Sequence, residues 1–147
     1  MLSFTHHPAP KPGVPRVALI HSLALDRTVW DGVVERLKDE AEILTFDCRG
    51  HGRSARTPGP YTTQLFARDL GELLDHVGWK RAVVAGCSMG GNVAQAFAAE
   101  FPQRTSALGL IDTTAWYGAD ATAKFKERAD TARAKGLRSM IDFQLTR

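Results

Sequence analysis

A Gly-x-Ser-x-Gly pattern placed between a β-type run and a helical pattern constrains this chain more than any other feature. Val83-Val84-Ala85-Gly86 is apolar and β-branched, and the segment from Met89 to Phe101 repeats Met89, Val93, Phe97 and Phe101 at helical spacing. A strand that becomes a helix within two residues leaves no room for side chains beside the turn, a condition that Gly86 and Gly90 meet. Ser88, at the tip, is then held in a strained conformation with its hydroxyl at the carboxyl end of the strand. Such a turn is a nucleophile elbow, and its strand and helix context is present on both sides.

Before the elbow the chain alternates strand and helix. Four of the seven prolines fall within the first fifteen residues, so regular structure there is limited to a short edge strand at Leu2 to Thr5. Arg16 to His21 reads as an interior strand. It leads through His21-Ser22-Leu23-Ala24-Leu25-Asp26 into a helix with Val29, Trp30, Val33, Val34 and Leu37 on its apolar face and Asp26 or Thr28 as cap. Ile43 to Asp47 is a strand, and Cys48 to Ser54 a polar, Gly-rich loop. Pro58-Gly59-Pro60 breaks the chain, and Tyr61 to Val77 is a helix ended by Gly78.

After the elbow, Ser106 to Ile111 forms another strand, followed by a polar and aromatic loop, Asp112 to Gly118. A largely polar helix over Ala121 to Lys135 stops at Gly136, and Leu137, Met140, Ile141 and Leu145 start another. The alternation predicts an α/β protein with a doubly wound, mostly parallel sheet, whose ligand edge lies at the carboxyl ends of the strands.

Composition excludes several function classes. The chain is 147 residues long with a net charge of +3, and its Lys and Arg are scattered, which gives no footprint for nucleic acid. No apolar run has the length of a membrane span, and residues 1–15 lack the regions of a signal peptide, so the expected compartment is the cytoplasm. Cys48 and Cys87 lack metal-ligand spacing and read as free thiols. Neither His6-His7 nor the Gly-rich loop carries a metal or nucleotide signature, so no metal and no cofactor is expected.

Serine needs a base to take its proton and donors to receive the oxyanion. The Met89 amide, first in the helix after Ser88, is one donor, and Leu23 in the loop after the first interior strand is the natural second. Chain order in such sites is Ser, then Asp or Glu, then His. All five histidines, His6, His7, His21, His51 and His76, precede Ser88. His21 is read as shaping its own loop, His51 as ordering the Gly-rich turn, and Asp112 as a cap or pocket residue.

Taken together, His21 to Asp26, Trp30-Asp31, Asp47 to Ser54, Gly59-Pro60-Tyr61-Thr62, Gly86 to Gly91 and Asp112 to Trp116 resemble the α/β-hydrolase superfamily, and within it the 3-oxoadipate enol-lactonase group. Thr113-Thr114-Ala115-Trp116 running into an Ala- and Arg-rich helix carries the closer likeness. The resemblance implies Ser88 as nucleophile, Leu23 and Met89 as oxyanion hole, and Ser22 and Trp116 at the substrate pocket. Residues 1–118 then correspond to the N-terminal part of the core and residues 119–147 to the start of a helical lid. The resemblance further implies a C-terminal core half carrying the triad Asp and His, which is expected to lie outside this chain. The expected partners are a small ester or lactone and a second polypeptide carrying that half. The expected reaction is hydrolysis of a small lactone or ester. The same fold also serves carboxylesterases, carbon-carbon bond hydrolases and cofactor-free haloperoxidases, and a ligand-binding fragment without a base is the reading from another class.

Overall fold

A computed structural model describes residues 2–141. By its internal contacts the chain divides into two compact units, Met1–Ala115 and Trp116–Arg147.

The first unit is a five-stranded sheet with helices on both faces. Its strands are β1 (Phe4–His7), β2 (Arg16–Ile20), β3 (Glu42–Phe46), β4 (Ala82–Cys87) and β5 (Thr105–Ile111). They lie in the order β1-β3-β2-β4-β5, parallel throughout except that β1 pairs antiparallel with β3, Phe4 opposite Phe46 and His7 opposite Ile43. The short edge strand expected at Leu2 to Thr5 is thus present, shifted two residues along the chain. Central strands buried on both faces read as continuous apolar runs. Ala18, Leu19 and Ile20 of β2 accordingly show at most 3% exposure.

The helices of this unit are α1 (Asp31–Leu37), α2 (Thr63–His76) and α3 (Met89–Glu100). Ala18, Ile20, Leu44, Phe46 and Val84 face one way and pack with Phe66, Leu70 and Leu74 of α2 and Val93 and Phe97 of α3. Leu19, Ile43 and Ala85 face the other way, onto Trp30 and Val34. The stripe expected along α3 is there, with Val93 and Phe97 fully buried and Met89 and Phe101 packed at its margin.

Two helix starts differ from expectation. Arg27–Trp30 is a 3-10 turn capped by Asp26, whose carboxylate accepts from the Thr28 N–H at 2.9 Å. The α-helix therefore begins only at Asp31, and Val29, assigned to its apolar face, is 47% exposed. Helix α2 begins at Thr63, with the Thr62 hydroxyl accepting from the Leu65 N–H at 3.1 Å. Tyr61 lies before it, its ring against Phe66 and its hydroxyl donating to the Thr57 carbonyl at 2.6 Å.

The second unit holds α4 (Ala121–Lys135), ended by Gly136 at φ 77°, and a 3-10 turn at Leu137–Met140. None of the α4 residues is buried within the chain. The helix expected from Leu137 onward opens as a 3-10 turn over Leu137–Met140 and is α-helical at Ile141, the last described residue, and Leu145 lies outside the described residues. Among the described residues no helix is long and apolar enough to cross a membrane.

Candidate active site

Ser88 follows β4 directly and precedes α3, with φ 52° and ψ −114°. A non-glycine residue in that region stores roughly 1–3 kcal/mol of strain, which the surroundings must hold in place. Here the backbone is bolted down. The Ser88 N–H donates to the Ile111 carbonyl at 2.9 Å, and the Ser88 carbonyl accepts from the Gly91 N–H at 2.9 Å, the Asn92 N–H at 3.2 Å and the Thr113 hydroxyl at 2.8 Å.

The neighbouring glycines are sterically required. A Cβ on Gly86 would overlap the Gly90 carbonyl, one on Gly90 the Ile20 carbonyl, and one on Gly91 the Thr113 side chain. Gly90→Ala is accordingly expected to lower stability by about 1–3 kcal/mol through overpacking. Chemical denaturation followed by circular dichroism measures it, and an unchanged midpoint would show that the α3 start has room to move.

A serine at a helix start usually caps it, with β-region dihedrals and its hydroxyl accepting from the first turn. Ser88 has neither feature, since φ is positive and its side chain makes no capping hydrogen bond. The partly buried hydroxyl is committed to nothing in the helix.

The α3 start packs against the end of β2, because the Ile20 and His21 carbonyls lie where a Gly90 side chain would go. This brings the Ser22–Leu25 loop to the same sheet edge as Ser88. That loop is a tight turn, with the Leu25 N–H donating to the Ser22 carbonyl at 3.3 Å and Ala24 at φ 63°. The Leu23 N–H has no acceptor among the described residues, and Met89, as first helical residue, has none within its helix.

Four of the five upstream histidines are engaged by other groups. His21 is fully buried and both ring nitrogens are engaged, Nδ1 at 2.8 Å from the Ser22 carbonyl and Nε2 accepting from the Cys48 N–H at 2.9 Å. His51 places Nδ1 at 3.2 Å from the Arg49 carbonyl and its ring against His21 and Phe66. His6 pairs with Glu42 at 2.7 Å, and His76 packs edge-on against Phe4. Among the described residues no group of three or more side chains converges to hold a metal.

Both cysteines are free. Burial pushes the Cys48 thiol up to about 12, and burial, with a smaller effect from Asp112, raises Cys87 above its ordinary value.

Two polar anchors of the site escaped the sequence reading. Asp47, 1% exposed, accepts from the Arg27 N–H at 2.9 Å, the Arg27 guanidinium at 2.6 Å and the Arg53 N–H at 2.9 Å. It thereby joins the Gly-rich loop to the chain entering α1, and Gly52 leaves the space its carboxylate fills. Arg49 forms a bidentate pair with Asp69 of α2, which raises the guanidinium pKa further. The signal available in the sequence was a carboxylate at the end of an apolar strand, followed by arginines two and six positions on.

A model of the alpha/beta hydrolase fold family matches residues 15–139. The chain belongs to the α/β-hydrolase fold family. Among similar proteins, 3-oxoadipate enol-lactonase 2 of Acinetobacter baylyi is 32% identical over 133 residues, a match that takes in 90% of this chain and 49% of that protein. The enol-lactonase from Burkholderia xenovorans LB400 has 32% identity and a TM-score of 0.90, over 99% of this chain and 55% of that one. A thermophilic esterase from Thermogutta terrifontis has 36% identity and a TM-score of 0.84, over 92% and 49%. The hydrolase-fold chain thus spans about half the length of these relatives, and it resembles the N-terminal part of an enol-lactonase.

Proposed function

We propose that this chain carries the nucleophile of a serine hydrolase acting on a small lactone or ester, most like a 3-oxoadipate enol-lactone. The observation that carries the reading is Ser88 itself, strained at φ 52°, hemmed in by glycines and unused as a helix cap. Its Oγ attacks the carbonyl carbon, and the resulting oxyanion is received by the Leu23 and Met89 N–H groups. Each such donor contributes roughly 3 kcal/mol in the transition state. The serine proton passes to the general base, and collapse of the tetrahedral intermediate breaks the ring C–O bond, returns that proton to the departing enol oxygen and leaves an acyl-enzyme. Water then cleaves it to the free carboxylate and regenerates the serine, while a released enol tautomerises to the ketone. Ser22 lines the pocket beside Leu23. Trp116, 72% exposed at the start of the second unit, is assigned to the substrate pocket, and residues 119–147 to the start of a helical lid. No cofactor is required by these steps.

The general base and its carboxylate belong, in this reading, to a C-terminal half of the fold supplied by a second polypeptide or by the remainder of the same gene product. Support comes from β5. It is the last strand of the sheet, and Leu108 and Leu110 on one face and Ile111 on the other are 40%, 48% and 45% exposed. A parallel strand with aliphatics exposed on both faces and a free edge is an unfavourable terminus for a sheet. Intact mass spectrometry of the purified protein is expected to reveal a companion chain. A sample of this chain alone, monomeric and cooperatively unfolding, overturns the companion.

The catalytic reading is tested by a fluorophosphonate probe. One adduct at Ser88 of the assembled protein, blocked by prior incubation with an enol-lactone, is the expected result. An unlabelled Ser88 in the assembled protein favours the ligand-binding reading instead. Labelling without lactone turnover shifts the assignment to another hydrolase activity of the fold, such as a carboxylesterase, a carbon-carbon bond hydrolase or a cofactor-free haloperoxidase.

A further inference from the structure

A cavity of about 300 Å³ opens between the start of the chain, the loop after β3 and one side of α2. Phe4 brings β1 into its wall, and β1 is the strand at the far edge of the sheet from β5. No residue of the elbow or of the Ser22–Leu25 loop lines it, so it is separate from the site around Ser88.

Part of the lining is apolar. Leu2, Phe4 and Leu73 all belong to the main core or pack against it, Leu73 being 5% exposed. The charged groups of the lining do not cancel. Asp69 takes two N–H groups of Arg49, and a third donates to the Thr57 hydroxyl at 3.2 Å, so the guanidinium is matched by a carboxylate of its own and the pair is neutral as a unit. Glu72, on the next turn of α2, makes no hydrogen bond and no ion pair among the described residues. His76, one turn further on, makes no ion pair with it and sets its ring edge-on to Phe4. One carboxylate is therefore left beside an apolar surface, with no cation of the protein assigned to it.

We propose that this cavity binds a small organic ammonium ion, with the cation against the Glu72 carboxylate and the apolar body against Leu2, Phe4 and Leu73. The volume is at the lower end for small-molecule sites, which suits a short arylalkyl or alkyl amine. An anion is disfavoured, because the guanidinium in the wall is already engaged and two carboxylates, Asp69 and Glu72, border the space. A neutral apolar molecule would fill the same space without meeting the Glu72 charge. The inference goes beyond the hydrolase reading and does not depend on it.

Amide NMR of the assembled protein, titrated with phenethylammonium chloride, tests this. The expected result is a saturable shift of the Phe4, Glu72 and Leu73 amides with a Kd of about 1 mM or tighter, given the size of the probe. Phenylacetate, of similar shape and opposite charge, should not saturate them. Glu72→Gln removes the charge from an exposed helix position and is expected to weaken binding about tenfold, the equivalent of one charge-assisted contact. Ala55→Leu narrows the cavity without altering a charge and should weaken binding as well. The inference is overturned by the absence of a saturable response, by shifts confined to other parts of the chain, by phenylacetate or uncharged phenethyl alcohol binding as tightly as the ammonium, or by undiminished affinity in either variant. The wild-type titrations alone decide it if a variant fails to fold. Prior labelling of Ser88 with the fluorophosphonate should leave the affinity unchanged. Loss of binding on labelling would place the ligand at Ser88 and overturn the separate site, whereas an unlabelled Ser88 removes the hydrolase reading and leaves the ammonium site standing.

Discussion

Ser88→Ala is expected to abolish probe labelling and to lower hydrolysis by about 10⁴- to 10⁶-fold in kcat in the assembled protein, the range for removing a nucleophile that acts as part of a unit. The backbone amides of Leu23 and Met89 survive the substitution, so a small residual rate above water remains. Stability should hardly change, because the Ser88 hydroxyl caps nothing and alanine suffers the same strain at φ 52°. Ser88→Gly separates the two roles. Glycine adopts this conformation freely, so that variant should be inactive yet about 1 kcal/mol more stable, less whatever its looser unfolded chain takes back. Intact mass after probe treatment, ester and lactone turnover, and thermal unfolding together measure all three quantities. Turnover persisting in Ser88→Ala at more than a tenth of the parent rate would sink the assignment.

Asp47→Ala is expected to cost about 3–5 kcal/mol of folding stability, the range for removing one partner of a buried ion pair. Three donors lose the carboxylate together, namely the Arg27 guanidinium at 2.6 Å, which keeps only the neutral Ser3 and Thr5 hydroxyls, and the Arg27 and Arg53 N–H groups at 2.9 Å. The Arg27 side chain is only 17% exposed, so water replaces the carboxylate poorly. Against a total stability of roughly 5–15 kcal/mol, a loss of this size makes the fold marginal. Asp47→Asn keeps one oxygen acceptor and should lose less, about 1–3 kcal/mol. Urea unfolding of the two variants checks the order, and an Asp47→Ala midpoint equal to that of the parent would mean that the pair contributes no net stability.

The elements read correctly from sequence are those specified by neighbours along the chain. Strand β2 announces itself by Val17-Ala18-Leu19-Ile20, and α3 by Val93 and Phe97 one turn apart, both fully buried. The elbow is legible for the same reason, since Gly86, Ser88 and Gly90 meet within a single turn. Helix α1 was misread at its start because a 3-10 turn and an α-turn share the spacing of their first residues. Asp47 and the second bond of His21 were missed for another reason. Their partners Arg27 and Cys48 stand 20 and 27 positions away, and nothing local in either segment advertises the pairing.

By itself the sequence determined the alternation of strand and helix, the parallel sheet and the position of a strained serine at its carboxyl edge, because apolar periodicity and glycine placement act over a few residues. Only the tertiary structure decided which polar groups hold that edge together. Burial withdraws water from Asp47, Asp69 and His21 and forces each to find partners across the fold, and which partners are in reach depends on how the loops after β2 and β3 come to lie side by side. The same burial lowers the His21 pKa, and the Ser22 carbonyl and Cys48 N–H fix the nitrogen that carries its proton, a property that belongs to the packed loops and not to the residue.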